Sequence, residues 1–222
     1  VHHTTLIVPG FHGSGPAHWQ TWLEGRLPDA RRVTGIDWEL PVLALWAAEV
    51  RREIDATPGA VWIVAHSFGC LASVIAAADR PAKVAGLLLV APAEPRRFSL
   101  LGTREQYPGG DSVAAALPAE QLGSPSLLVA SRNDPWLDFG RARELAERWG
   151  SRLVDIGEAG HVNTASGHGA WPQGMGLLAE LQQACDGFPL GAIDDAGKAP
   201  AAGRRFSALA RLRRQTRANM GA

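Results

Sequence analysis

The sequence is poor in the features that mark a secreted, membrane-spanning or nucleic-acid-binding chain. It carries two cysteines in 222 residues, Cys70 and Cys185. That is too few for a disulfide framework, so a reduced, cytoplasmic protein is the expectation. No stretch approaches the roughly twenty consecutive apolar residues that a membrane span needs, and no signal-peptide pattern heads the chain. Neither charge prevails: 22 Lys and Arg stand against 22 Asp and Glu. A global attraction to nucleic acid or to an acidic partner is therefore not expected. The glycine-rich phosphate loops G-x-G-x-x-G and G-x-x-x-x-G-K-[ST] are missing. So are H-E-x-x-H and any Cys/His cluster, which leaves no call for a cofactor or a metal. There is no internal repeat.

What is there is enough apolar sequence, 46%, for one full core in a chain of this length. The chain is organised around Val61-Trp62-Ile63-Val64-Ala65-His66-Ser67-Phe68-Gly69-Cys70-Leu71-Ala72. A β-branched and aromatic run ends at a serine, and a helix of small residues follows at once. This is the pattern of a nucleophile elbow, a buried strand turning sharply into a helix with the serine at the apex. Strand and helix nearly touch there, so small residues are needed two before and two after the serine. Gly69 meets that need; Ala65 stands where the usual G-x-S-x-G has glycine. A serine in an ordinary strand-to-helix turn would give a similar pentapeptide, so the rest of the chain has to supply a base and an acid.

Periodicity predicts strands at residues 4–8, 32–36, 61–66, 84–90, 126–131 and 152–156, and helices at 17–27, 43–56, 139–149 and 171–185, besides the helix that follows Ser67. Residues 84–90 are apolar on both faces, as a central parallel strand is. Residues 91–125, rich in Pro, Gly and charge, read as an excursion with a short helix near 112–117. The alternation predicts an α/β fold: a six-stranded, mostly parallel sheet with helices on both faces.

Catalytic groups in such a sheet gather beyond the carboxyl ends of the strands. Ser67 leaves the third strand. Arg132-Asn133-Asp134-Pro135-Trp136 leaves the fifth, and Gly157-Glu158-Ala159-Gly160-His161 leaves the sixth. The order Ser, Asp, His is that of the α/β-hydrolase arrangement. Ser67 needs a base to take its proton, which His161 would do before returning it to the leaving group. Asp134 would hold the other imidazole N–H and fix the tautomer. Asp134 also suits an Asx turn before Pro135. Asp138 is the competing acid, His168 the competing base, and His66 reads as structural or pocket-lining. For the oxyanion, one N–H donor is expected from Phe68, and a second from Phe11 or His12 in the glycine-rich loop after the first strand. His12, Phe11, Trp136 and the 91–117 excursion are expected to line a shallow pocket.

Four motifs in this order, the loop from Pro9 to Pro16 running into His18-Trp19-Gln20, AHSFGC, SRNDPW and GHVNTASGHGAWPQG, resemble small serine hydrolases of the YdeN and retinoblastoma-binding-protein-nine type. The likeness spans about residues 4–185. It implies a compact α/β-hydrolase without the two leading antiparallel strands, and it maps Ser67, Asp134 and His161 onto the triad. The expected function is cleavage of small acyl esters through an acyl-enzyme. The alternatives are a thioesterase or peptidase with the same machinery, or a hydrolase-fold binding protein without useful turnover.

The hydrolase domain is expected to occupy residues 1–186. Residues 187–222 change character, with Arg204, Arg205, Arg211, Arg213, Arg214 and Arg217 and no acid among them. Phe206, Leu209 and Leu212 fall at helical spacing. Two readings stand: a poorly ordered tail or weak surface helix, or a basic amphipathic helix that docks on a protein partner or an anionic surface. The resemblance says nothing about this segment.

Overall fold

A computed structural model describes residues 3–186; the two readings of the basic tail fall outside the described residues. Strand β1 (Thr5–Val8), helix α1 (Trp19–Glu24), strand β2 (Ala30–Arg32), helix α2 (Leu43–Ala56) and strand β3 (Val61–His66) come first. Helix α3 (Phe68–Ala78) and strand β4 (Val84–Val90) follow, then a small hairpin of β5 (Phe98–Ser99) and β6 (Gly102–Thr103). The described chain closes with β7 (Ser126–Ala130), α4 (Phe139–Trp149), β8 (Arg152–Asp155) and α5 (Pro172–Asp186).

Six strands form one sheet in the order β2-β1-β3-β4-β7-β8, every pairing parallel. Strands β3 and β4 lie in the middle and are buried along their whole length. Side chains alternate between the faces, as strand geometry requires. Val61, Ile63 and Ala65 join one core with α2, α3 and α4, while Trp62 and Val64 join a second with α1 and α5. Cys70 packs in the first core and Cys185 in the second.

The chain first builds β1 and β2 in one direction across the sheet, then β3, β4, β7 and β8 in the other. Strand order therefore reverses between β1 and β3, which opens a crevice at their carboxyl ends. The glycine-rich loop after β1 and the turn after β3 meet in that crevice, and the site lies there.

Three elements differ from the sequence reading. Helix α1 covers only six residues of the 17–27 stretch, because His18 caps its start and Gly25 ends it. Strand β2 comes two residues earlier than expected: the N–H of Thr5 bonds to the carbonyl of Asp29, and the chain turns away at Gly35, whose φ is 80°. The 91–125 excursion contains the β5–β6 hairpin, and at 112–117 only a short 3-10 turn, Val113–Ala115, capped by the Ser112 hydroxyl.

Candidate active site

Ser67 sits between β3 and α3 with φ 53° and ψ −124°, a backbone conformation that side-chain-bearing residues rarely adopt. Its surroundings impose it. A Cβ on Gly69 would be driven into the carbonyl oxygen of Pro9 and within 2.6 Å of that of Val8; a Cβ on Gly10 would come within 2.7 Å of the Ser67 Cβ. The elbow is thus pressed against the end of β1, and two glycines make the approach possible. Ala65, the departure from the glycine pattern, is fully buried within β3, where it pairs with Val8 and Leu89. Its methyl group packs in the first core.

The structure brings together all three residues singled out for the triad. His161 Nε2 lies 2.9 Å from Ser67 Oγ, and His161 Nδ1 lies 2.9 Å and 3.0 Å from the two carboxylate oxygens of Asp134. Both side chains are nearly sealed from solvent, at 8% and 3% exposure, so the pair is short of competing water. Asp134 also accepts the N–H of Trp136 at 2.8 Å. The Asx turn and the contact to the base are therefore one arrangement, in which the turn aims the carboxylate.

The rival residues are occupied elsewhere. Asp138 caps α4, accepting the N–H groups of Gly140 and Arg141. His168 lies in the loop after His161, 3.2 Å from the Ser166 hydroxyl and edge-on to Trp171.

The loop that carries His161 is fastened from several sides. Asn133 Oδ1 accepts the N–H of Gly160 at 2.7 Å, and the Ser131 hydroxyl accepts that of Ala159 at 2.9 Å. The indole of Trp19 donates to the carbonyl of Val162 at 2.8 Å, and Val162, a β-branched residue, is held at φ 48°. His66 Nε2 lies 2.9 Å from the carbonyl of His161. Burial, with the charges of His161 and His18, holds the His66 imidazole well below its ordinary pKa. It is neutral, so its Nε2 carries a proton and donates to that carbonyl.

The two candidate sources of the second oxyanion donor separate cleanly. The N–H of His12 is already bound to the carbonyl of Trp38 at 2.9 Å. Among the described residues, the N–H groups of Phe11 and Phe68 have no backbone acceptor, and both residues adjoin the elbow. Gly10 and Gly13 close the turn that presents Phe11, with His12 at φ 68°. The His12 side chain pairs with Glu39 at 2.7 Å on the surface and stacks on Phe11.

A cavity of about 400 Å³ opens over Ser67. Phe11, His12 and Trp136 line it, and Phe98, Ala93 and Glu94 bring in the excursion. Trp136 is half-exposed, 6.1 Å from the His161 ring, with Arg97 stacked on it. His18 and Asn163 also line the cavity, and the sequence reading gave neither a role. Histidine is not among the usual helix-capping residues, so nothing local announced His18 as the start of α1. Among the described residues no cluster of His, Cys, Asp and Glu suits a metal ion, and no helix is long and apolar enough to cross a membrane.

Comparison with known proteins places the chain among hydrolases. A family model described as serine hydrolase matches residues 5–180. Among solved structures, a YdeN-like hydrolase from Pectobacterium atrosepticum is 37% identical, with 82% of this chain and 91% of that one covered and a TM-score of 0.73. The ydeN gene product of B. subtilis is 20% identical, with 82% and 100% covered and a TM-score of 0.64. Est1E from Butyrivibrio proteoclasticus, solved with ferulic acid, is 16% identical, with 82% and 90% covered and a TM-score of 0.61; at that identity it speaks for the fold alone. No curated protein matches.

Proposed function

The chain belongs to the serine hydrolase family and is a hydrolase of the YdeN type, and we propose that it cleaves small carboxylic esters through an acyl-enzyme on Ser67. The reading is carried by one observation, the unbroken relay from Ser67 Oγ through His161 to the Asp134 carboxylate. In the first half-reaction Ser67 Oγ bonds to the ester carbonyl carbon while His161 Nε2 takes its proton. Asp134 orients the ring and stabilises the imidazolium. The N–H groups of Phe11 and Phe68 receive the oxyanion, each donor contributing about 3–4 kcal/mol to lowering the barrier. Collapse expels the alcohol, which takes the proton from His161. Water then adds to the acyl-enzyme with His161 again as base, releasing the acid and free Ser67. His12 and Trp136 form the rim of the substrate pocket.

Fluorophosphonate labelling, followed by turnover of short- and medium-chain esters and thioesters, tests the reading. Labelling of wild-type protein that disappears in Ser67→Ala is the expected result. Folded wild-type protein that resists the probe would instead favour a binding protein on a hydrolase scaffold. A cytoplasmic setting belongs to the same reading and is supported by the two cysteines, which pack in separate cores. We assign the hydrolase domain to residues 1–186 and leave the basic segment outside it. Deleting 188–222 is expected to spare esterase activity, and a loss of vesicle binding on deletion would assign the segment a docking role.

A further inference from the structure

Three imidazoles stand in a row along one wall of the cavity. The ring centroids of His18 and His66 are 4.9 Å apart, and so are those of His66 and His161. His161 faces Ser67, and His66 is spent on the carbonyl of His161. His18 alone remains without a task in the chemistry.

Its tautomer is set by the fold. His18 caps α1, and its Nδ1 accepts the N–H of Gln20 at 3.2 Å. A nitrogen that accepts carries no proton, so in the neutral ring the proton sits on Nε2. Burial, followed by the positive charges of Arg32, His161 and His168, pushes the pKa of His18 down to about 4; the ring is neutral near pH 7. Among the described residues no group accepts a hydrogen bond from that Nε2. The residue is only 5% exposed, yet it lines the cavity. A fixed, neutral donor therefore borders the substrate space without a protein partner.

The cavity has two unlike walls. Phe11, Ala93 and Phe98 belong to the core on the α2–α3 face of the sheet, beside the N–H groups of Phe11 and Phe68. His18, His66 and His161 stand with Trp19 on the opposite face. His161 has to return its proton to the departing oxygen, so the leaving group is held against the histidine wall and the acyl group against the apolar one.

We propose that His18 is a specificity-determining residue whose Nε2–H donates to a second oxygen in the alcohol portion of the ester. The preferred substrates are then esters of ether- or hydroxyl-bearing alcohols, and purely alkyl esters are worse. This rests on the ester-hydrolase reading above. A pocket donor left without its acceptor penalises the analogue that lacks the oxygen.

The test compares 2-methoxyethyl acetate with butyl acetate, which have equal numbers of heavy atoms and the same acyl group. The ratio of their kcat/KM values is expected to fall about threefold to tenfold from wild type to His18→Ser, the range for one neutral hydrogen bond. The serine hydroxyl retains a helix cap, and His18→Phe, which retains the ring shape, should lower the ratio equally. An unchanged ratio in both variants overturns the proposal. So does a changed ratio confined to an acyl-side pair, butyl methoxyacetate and butyl butanoate, because the donor would then serve the other wall.

A second readout needs no turnover. In Ser67→Ala protein with ¹⁵N-labelled histidine rings, the His18 Nε2 resonance should move on adding 2-methoxyethyl acetate and stay in place with butyl acetate. An unmoved resonance overturns the proposal even if wild type proves inactive. Failure of the esterase reading looks different: no fluorophosphonate labelling and no turnover of any ester by wild type.

Discussion

His66 donates its Nε2–H to the main-chain carbonyl of His161 at 2.9 Å, so the residue before the proposed nucleophile holds the proposed base. Elbow and base are thereby joined twice, once through this bond and once through Ser67 Oγ and His161 Nε2. The first bond sets where the ring can stand, and the second uses that position.

Removing the donor should therefore loosen the proposed base. His66→Phe leaves the His161 carbonyl unsatisfied, at a cost of about 1–3 kcal/mol in stability. A shift of the ring by about 1 Å would lower kcat by about 10²-fold, with KM little changed. His66→Gln, whose amide N–H can reach toward the same carbonyl, should recover most of kcat. Steady-state kinetics with urea unfolding checks both, and equal losses in kcat for Phe and Gln would sink the positioning role.

The two acids are distinguished by what each one holds. Asp134→Asn retains an oxygen for the Trp136 N–H but loses the charge opposite His161, and should lower kcat about 10⁴-fold while the fold persists. Asp138→Ala removes the cap of α4 and should cost about 1 kcal/mol with kcat unaffected. Paired kinetics and thermal melts separate them; near-normal turnover in Asp134→Asn would return the role to Asp138.

These residues also show what the sequence makes legible. Ser67, Asp134 and His161 could be proposed together because each follows a strand, and in a parallel sheet all such ends share one rim. The ends of α2, β4 and α4 were legible for a similar reason, since long amphipathic or wholly apolar runs stop abruptly. The choice between Phe11 and His12 was not, because it turns on the carbonyl of Trp38 reaching the His12 N–H across a gap of 26 residues. The roles of His66 and His18 were hidden likewise: one depends on a partner carbonyl at His161, the other on a histidine serving as a helix cap. Helix α1 was overextended because the apolar spacing of Trp19, Trp22 and Leu23 continues to Leu27, while the regular helix already reaches its C-cap at Gly25.

Gly69 carries the closest contact in the elbow. A methyl group there meets the Pro9 and Val8 carbonyls, which are backbone and cannot swing aside. Gly69→Ala is expected to destabilise by about 1–3 kcal/mol, the usual cost of overpacking, and to displace Ser67 from His161. Fluorophosphonate labelling should then slow far more than global unfolding alone would explain. Wild-type labelling in a folded Gly69→Ala protein would show that β1 can retreat from the turn.

Acid should weaken the fold earlier than carboxylates alone would cause. His18 has its pKa pushed down to about 4, and His66 is held well below the ordinary value, burial being the first cause in both. An unfolded chain binds these protons at about pH 6.5, its ordinary histidine value. Below that pH the unfolded state holds more protons than the folded one, so stability is full above about 6.5 and falls with pH until the folded rings titrate. Each histidine contributes a slope of roughly 1.4 kcal/mol per pH unit in that window, and His18 alone amounts to about 3 kcal/mol by pH 4. The carboxylates of Asp55 and Asp155, lowered by hydrogen bonds from Arg80 and Arg132, act in the same direction but only in the more acid range. Urea unfolding at pH 7.5, 6 and 5 should show the decline, and His18→Phe should remove about half of the slope. Stability that stays level from pH 7.5 to 5 would mean that these two rings take up protons in the folded protein as readily as in the unfolded one.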